Sequence, residues 1–251
     1  MRPVLFYLGP YPVFAYGVFV LAGVVLLFAL TAHLAQADGR KVERVVPVGL
    51  GVLVGAVFGA RLAHVIVEPG KLYQLLDFYS VFRPDTPGNI LGIMLGGYLG
   101  GLAVRASLGL PSTGNYFAPA LAAAGVVWRT GCTLAGCCHG VETTLPWGMA
   151  IGGEKHHPTM VYELLFNLFF LGVIWRLRPR VKQDNALLYL YFAGYTFFRF
   201  WLEYIRLYPR LFWGLTGIQV ICVGVWLWLA AWWWQQRRAA LYVKQERYEV
   251  A

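Results

Sequence analysis

The stretch that decides the fold is residues 13–37, VFAYGVFVLAGVVLLFALTAHLAQA, which contains no Asp, Glu, Lys or Arg. A helix needs roughly 20 apolar residues to cross the hydrocarbon core of a bilayer, so this stretch predicts a membrane span. Stretches of similar character follow at about residues 45–67, 88–108, 115–133, 158–176, 186–205 and 214–234. The sequence therefore predicts an all-α, polytopic membrane protein with about seven transmembrane helices.

The composition of the whole chain agrees with this prediction. Of its 251 residues, 59% are hydrophobic and only 13% are charged, whereas soluble domains usually carry about 25% charged residues. No linker and no fixed repeat divides the sequence, so we expect one domain over residues 1–251. The formal charge of +9 does not indicate nucleic-acid binding, because no basic face outside the spans is interleaved with stacking aromatics.

The basic residues predict the orientation of the spans. Loops that carry Lys and Arg stay on the cytoplasmic side, and this places the N-terminus outside and the C-terminus in the cytoplasm. The remaining positive charge attracts anionic membrane lipids. The longer outer connections are then residues 68–87 and 136–157, and the inner basic residues are Arg40, Lys41, Arg44, Arg105, Arg176, Arg178, Arg180, Lys182, Arg237, Arg238, Lys244 and Arg247.

The candidate site begins where the fourth predicted span ends, at residues 129–140, RTGCTLAGCCHG. We expect Arg129 to end this span and to place a permanent cation beside three thiols and the His139 imidazole at the membrane edge. Ionisable groups in such a position mark functional sites.

Two more arginines lie within predicted spans, Arg61 in the second and Arg199 in the sixth. With few acids to balance them they indicate an anionic ligand, and a phospholipid phosphate fits because guanidinium groups bind phosphate oxygens bidentately. The alternatives are structural: Arg199 and Glu203 are four residues apart and can pair, and Arg61 can extend to the surface. Glu163, one turn into the fifth span, can offset an arginine or favour the helix start.

Three interpretations of Cys132, Cys137 and Cys138 stay open. The run lacks the paired Cys-x-x-Cys spacing of zinc motifs, so we expect no metal and no cofactor, although a metal site is one alternative. A structural disulfide is the second. The third is a reactive Cys137 thiolate beside Arg129 and His139 that acts as nucleophile or base.

Small and aromatic residues add two expectations. The glycine-rich run from Gly88 to Gly101 predicts close approach of the third span to a neighbour. Tyr16, in the outer part of the first span, is expected to be an interface anchor or a contact to the lipid head group.

Taken in order, the motifs resemble those of the bacterial prolipoprotein diacylglyceryl transferases. The resemblance covers nearly the whole chain, and its most specific segments are His-Pro-x-x-x-Tyr-Glu and Phe-Arg-x-x-x-Glu in consecutive spans. The matching segments are Gly9-Pro10 with Tyr16-Gly17, Gly59 to Leu62, Gly96 to Gly100, Arg129 to Gly140 with Pro146-Trp147, His157 to Glu163, and Phe198 to Arg206.

This resemblance implies a multi-pass enzyme of the bacterial cytoplasmic (inner) membrane with its active site facing outward. Its substrates would be phosphatidylglycerol and the lipobox cysteine of a prolipoprotein signal peptide. By matching position, the site would include Tyr16, Arg129, Gly140, Arg199 and Glu203, with Arg129 and Arg199 on the phosphate and Glu203 orienting Arg199. We expect His139 and Cys137 to serve acceptor chemistry, and the further substrate contacts to be Arg61, Cys132, Tyr162, Glu163 and Arg206.

Three positions depart from the pattern that the resemblance implies. The family has a histidine where this chain has Leu95, an asparagine at Cys132 and a glutamate at Cys137. Either another group activates the acceptor thiol, with His139, His64 or Cys137 as candidates, or the bundle serves a different acceptor. A noncatalytic lipid-binding bundle and a membrane thiol redox protein are the remaining alternatives.

Overall fold

The structure, a computed structural model, describes residues 2–67 and 90–249. Within these residues the chain forms seven α-helices, and each overlaps one of the stretches predicted from the sequence. Their bounds are α1 Ala15–Ala37, α2 Val46–Val67, α3 Ile90–Ser107, α4 Gly114–Ala135, α5 Thr159–Leu177, α6 Ala186–Leu202 and α7 Gly217–Glu249. The outer connection predicted at residues 68–87 lies outside the described residues.

The ends of the fourth, sixth and seventh helices differ from the ends of the predicted spans. α4 continues to Ala135, so the expectation that Arg129 ends the span is wrong, and Cys132 belongs to the helix. α6 ends at Leu202 and is followed by a 3₁₀ turn, Glu203–Ile205. α7 begins three residues later than predicted and runs well past residue 234, because the preceding residues form a hairpin.

Antiparallel two-stranded hairpins precede three of the helices. β1 Val4–Leu8 pairs with β2 Tyr11–Phe14 before α1, β3 Met149–Ile151 with β4 Glu154–His156 before α5, and β5 Arg210–Phe212 with β6 Leu215–Thr216 before α7. The Arg2 N–H donates to the Leu134 carbonyl at 2.8 Å, and Gly140 forms an isolated β-bridge with Arg206. The N-terminal segment, the end of α4 and the segment after α6 therefore meet at one end of the bundle.

Glycines determine how α2 packs on α3. A Cβ atom added to Gly55 would lie 2.2 Å from the Gly96 carbonyl oxygen, and one added to Gly59 would lie 2.2 Å from that of Gly92. Only glycine permits backbones to approach so closely. The close helix approach predicted from the glycine run is confirmed for its described part.

α4 is the central helix of the bundle and packs against α1, α5 and α6. Among the described helices, α1, α2, α3, α5 and α7 are long and apolar enough to cross a membrane, whereas α4 and α6 do not meet that standard. Both carry a buried arginine, Arg129 and Arg199. Helices that face protein rather than lipid can hold polar groups, because neighbouring helices satisfy them.

The predicted inner loops meet at the end of the bundle opposite the hairpins. Arg40 from the α1–α2 connection and Arg176, Arg180 and Lys182 from the α5–α6 connection line one surface depression. In the same depression, the Arg178 guanidinium contacts the Asp38 carboxylate at 3.0 Å. Basic residues from two of the predicted inner loops therefore lie together at this end of the described structure.

Candidate functional site: an arginine cluster beside three thiols

Glu163 is the centre of a buried charge cluster. It lies on α5 with no exposed surface, and its Oε1 accepts hydrogen bonds from Arg199 and Arg206, each at 3.3 Å. Its Oε2 accepts from the Arg129 guanidinium and, at 2.8 Å, from the Tyr195 hydroxyl. One carboxylate therefore binds arginines from α4, from α6 and from the segment after α6.

A second carboxylate supports the same cluster. The Glu203 carboxylate lies 3.0 Å from the Arg199 guanidinium, and both side chains are almost fully buried. The pairing of residues 199 and 203 that their spacing indicates is therefore present. Arg199 therefore lies between two acids, Glu163 and Glu203.

The cluster has an excess of positive charge. Three guanidinium groups face two carboxylates, which leaves a net charge of +1. The buried Nε atoms of Arg199 and Arg206 and both carboxylate oxygens of Glu203 have no hydrogen-bond partner among the described residues. Buried charges are costly unless they are compensated, so this arrangement favours a monoanionic ligand such as a phosphodiester.

Gly140 holds the loop after α4 beside the arginine cluster through backbone hydrogen bonds. Its N–H donates to the His157 carbonyl at 2.8 Å, and a Cβ added at this position would lie 2.3 Å from the Ile205 carbonyl oxygen. Arg206 donates to the Cys138 carbonyl at 3.3 Å, and the Thr159 hydroxyl donates to the same oxygen. The position predicted to belong to the site is one where only a glycine fits.

The three cysteines of the loop converge at the end of α4. Gly136, at φ 70°, ends the helix in the left-handed conformation, and Cys138 adopts a φ of 63°, which is uncommon for a residue with a side chain. The Sγ atoms of Cys132, Cys137 and Cys138 consequently lie within 4.8 Å of one another. All are free thiols, so the described structure contains no disulfide among them.

The surroundings distinguish the two cysteines that lie beyond the helix. Hydrogen bonds from the Cys132 and Cys137 thiols lower the pKa of the Cys138 thiol, and the charges of Arg129 and Arg206 lower it further. Hydrogen bonding to Cys132 and Cys138, together with burial, raises the pKa of Cys137. The geometry favours Cys138 over the predicted Cys137 as the deprotonated member of the group.

His139 lies beside a second imidazole. Its ring packs on that of His156 with centroids 4.5 Å apart, and the Nδ1 atoms of both rings lie 3.1 Å from the Gly140 carbonyl oxygen. A carbonyl only accepts, so each Nδ1 that bonds to it carries a proton. In the neutral rings, the Nε2 atoms then remain as proton acceptors.

The other predicted contacts lie around this centre or away from it. The Tyr162 hydroxyl accepts a hydrogen bond from Trp147 Nε1 at 2.8 Å and lies 3.3 Å from His157 Nδ1. Tyr16, half exposed on α1, is near enough to the thiols and to Arg129 to interact with them electrostatically. Arg61 lies half-buried on α2, a helix that packs mainly against α3.

Sequence reasoning missed two polar contributors. Tyr195 donates to Glu163, and Asn167 donates through Nδ2 to the Glu163 carbonyl at 2.7 Å. Their spacing could have identified them as neighbours of the site residues, because Tyr195 is four residues before Arg199 and Asn167 is four residues after Glu163. Residues at that spacing share a helix face.

The chain is similar to known proteins over most of its length. Residues 3–235 match the family described as prolipoprotein diacylglyceryl transferase. The chain belongs to this family. Relatives named phosphatidylglycerol–prolipoprotein diacylglyceryl transferase include one from Corynebacterium glutamicum, 31% identical over 229 residues, with 80% of this chain and 72% of the relative covered. Another, from Cutibacterium acnes, is 31% identical over 226 residues, with 81% and 74% covered, and one from Frankia alni is 27% identical over 252 residues, with 94% and 64% covered.

The three positions that are expected to depart from the family pattern lie in different places in the structure. Leu95 is on α3 and packs against the apolar core. Cys132 and Cys137, in contrast, belong to the group of thiols next to Arg129. Two of the three positions therefore lie beside the buried arginine cluster.

Proposed function

We propose that this protein transfers the diacylglyceryl group of phosphatidylglycerol to the lipobox cysteine thiol of a prolipoprotein, with release of glycerol phosphate. The observation that carries the proposal is the buried arginine cluster around Glu163 and Glu203, which has a net charge of +1 and unpaired guanidinium Nε atoms. The family assignment supplies the two substrates.

The lipid phosphodiester carries one negative charge and is neutralised by this cluster. As the thiolate attacks the glycerol carbon, the C–O bond breaks and the second negative charge develops on the departing phosphate. Guanidinium groups already held in place stabilise that charge without reorganisation. In this proposal Arg129 and Arg199 bind the phosphate, Arg206 supports it, Glu163 and Glu203 orient the arginines, and Tyr16 contacts the head group.

The acceptor approaches through the loop that carries the thiols. Cys132, Cys137, Cys138 and His139 lie beside the arginines, and Tyr162 with Trp147 forms the rim of the site. A lipobox thiol bound at this rim attacks a phosphodiester held by Arg129 and Arg199. Holding both reactants in line contributes much of the rate enhancement.

The topology that we propose has seven spans and follows the charge distribution. The basic depression around Arg178 lies in the cytoplasm, the C-terminus lies on the same side, and the N-terminus and the site lie at the outer face of the cytoplasmic membrane. Arg61, on α2, contacts membrane lipid or the entering substrate.

Incubation of the purified protein with labelled phosphatidylglycerol and a lipobox peptide tests the proposal. We expect a thioether-linked diacylglyceryl peptide and an equal amount of glycerol phosphate. A peptide with serine in place of the acceptor cysteine is the matched control. Lipid binding without product would instead support a lipid-binding bundle, and thiol–disulfide exchange without lipid transfer would support a redox protein.

Arg199→Lys tests the phosphate role within the same assay. Lysine keeps the charge but loses the planar fork of donors, so we expect the transfer rate to fall about 10²- to 10³-fold. Arg178→Lys is the control, because Arg178 is an ion-paired arginine at the opposite end of the bundle. Equal rates for the two variants would remove Arg199 from the phosphate site.

A further inference from the structure

The three thiols form a ligand set that the spacing of the sequence does not reveal. Their sulfur atoms lie within 4.8 Å of one another. Tetrahedral zinc with Zn–S bonds of about 2.3 Å needs sulfur atoms roughly 3.8 Å apart. Side-chain rotations that move the sulfur atoms by about 1 Å are therefore sufficient to form a three-sulfur site. We propose that Cys132, Cys137 and Cys138 bind a thiophilic divalent cation of the zinc class.

The backbone around the thiols is arranged for convergence. Gly136 ends α4 in the left-handed conformation and Cys138 follows with a φ of 63°, so the chain turns back over the helix end and brings Cys138 beside Cys132. The Cys138 carbonyl is held by Thr159 and Arg206. A cysteine held in this conformation by two hydrogen bonds is in a fixed position relative to the helix.

Charge favours a divalent ion over a monovalent one. Three thiolates carry a net charge of −1 with a divalent ion and −2 with a monovalent ion. A divalent ion therefore places less negative charge beside the arginine cluster that binds the lipid phosphate in the proposed function. Arg129 Nη1 lies 3.8 Å from Cys132 Sγ, in position to donate to a metal-bound sulfur and orient it, as outer groups do at metal sites.

Burial leaves one side of the ion open. Cys132 is 3% exposed, whereas Cys137 and Cys138 are half-buried. Zinc with three protein ligands keeps its fourth position for water or substrate. The open side is the one from which the acceptor thiol approaches.

This placement assigns the ion a role that rests on the proposed function. The acceptor thiol takes the fourth position and loses its proton to water. Its sulfur forms the new S–C bond, the C–O bond to the phosphate breaks, and the electron pair leaves on the phosphate oxygen, which the proton can later neutralise. The ion thus activates the acceptor in a chain that has Leu95 where the family has a histidine.

Elemental analysis of the full-length protein tests the metal site without any substrate. After incubation with zinc sulfate and removal of excess ion, we expect the wild-type protein to retain zinc in a 1:1 ratio. The triple variant Cys132→Ser, Cys137→Ser, Cys138→Ser should fall to background, and Cys222→Ser, which changes a buried cysteine on α7, should not change the ratio. Equal zinc content in the wild-type protein and the triple variant overturns the proposal.

A cobalt titration of the wild-type protein does not depend on the folding of variants. We expect a thiolate-to-cobalt charge-transfer band that saturates at one equivalent and disappears when zinc is added. The band should change on addition of a lipobox peptide with cysteine but not of the peptide with serine. Absence of the band overturns the metal site, and an identical response to both peptides overturns the open coordination position.

Chelation separates this inference from the proposed function. We expect removal of zinc to slow transfer by about 10²-fold or more, the range attributed to activation of a nucleophile. Full transfer by zinc-free protein overturns the role of the metal but not the transferase function. Stoichiometric zinc without any transfer overturns the proposed function but not the metal site.

Discussion

Glu163→Gln is the substitution that most directly tests the charge cluster. The change keeps the size of the side chain but removes the negative charge that three arginines share. The side chain is fully buried, so water cannot take over the lost role. The net charge of the cluster rises from +1 to +2, with Glu203 as the remaining carboxylate.

The expected magnitude follows from the burial of both partners. Removal of one partner of a buried ion pair costs about 3–5 kcal/mol, because the other charge stays buried without compensation. An amide oxygen can still accept a hydrogen bond from Arg129 or Arg199, which places the expected loss at about 3 kcal/mol, the lower end of that range. This corresponds to roughly a 10²-fold change in the unfolding equilibrium.

Titration with a denaturing detergent measures the free energy of unfolding, with the intrinsic tryptophan fluorescence as the signal for tertiary structure. Glu154→Gln is the matched control, because Glu154 lies exposed in the β3–β4 hairpin and should change stability by less than about 0.5 kcal/mol. A double variant with Arg129→Gln should lose less than the sum of the two single changes. Equal stability of Glu163→Gln and Glu154→Gln would refute the proposed importance of the cluster.

Three further predictions concern packing and hydrogen bonding. Gly140→Ala should lower the unfolding free energy by about 1–3 kcal/mol, because its Cβ would lie 2.3 Å from a carbonyl oxygen; unchanged stability would show that the loop can shift. Gly59→Ala should cost a similar amount by separating α2 from α3, whereas Gly172→Ala, where the added Cβ meets nothing within 4 Å, should be neutral; the same detergent titration compares them. Tyr195→Phe removes one hydrogen bond to the Glu163 carboxylate and should cost about 1.5–3 kcal/mol; a loss as large as that of Glu163→Gln would contradict the assignment of most of the stabilisation to the arginines.

Much of the fold was predictable because its signals are local. Runs of apolar residues predict where helices lie, and the glycines of α3 predict close packing whatever the partner helix is. The ends of α4 and α6 were harder to place. Hydropathy predicts that the span ends at Arg129. The helix continues for six more residues, because the arginine faces Glu163 rather than the membrane surface.

The candidate site was predictable in its residues but not in its connections. The sequence predicts that Arg129, Arg199 and Glu203 belong to one site, and the spacing of residues 199 and 203 predicts their contact. The role of Glu163 as the shared partner of three arginines depends on the rotation of α5 against α4 and α6. No periodicity along a single helix determines that rotation.

The sequence by itself determines the membrane class, the approximate positions of the helices, the family and the identity of the charged residues, because each follows from composition or from order along the chain. Tertiary structure alone decides which carboxylate neutralises which arginine and whether the sulfur atoms of three cysteines lie close together. The spacing of Cys132, Cys137 and Cys138 argues against a metal, since linear motifs describe ligands on neighbouring turns. The left-handed turn after α4 folds the loop back and brings the three sulfur atoms together, and a contact made by chain reversal depends on backbone conformation and long-range hydrogen bonds rather than on spacing.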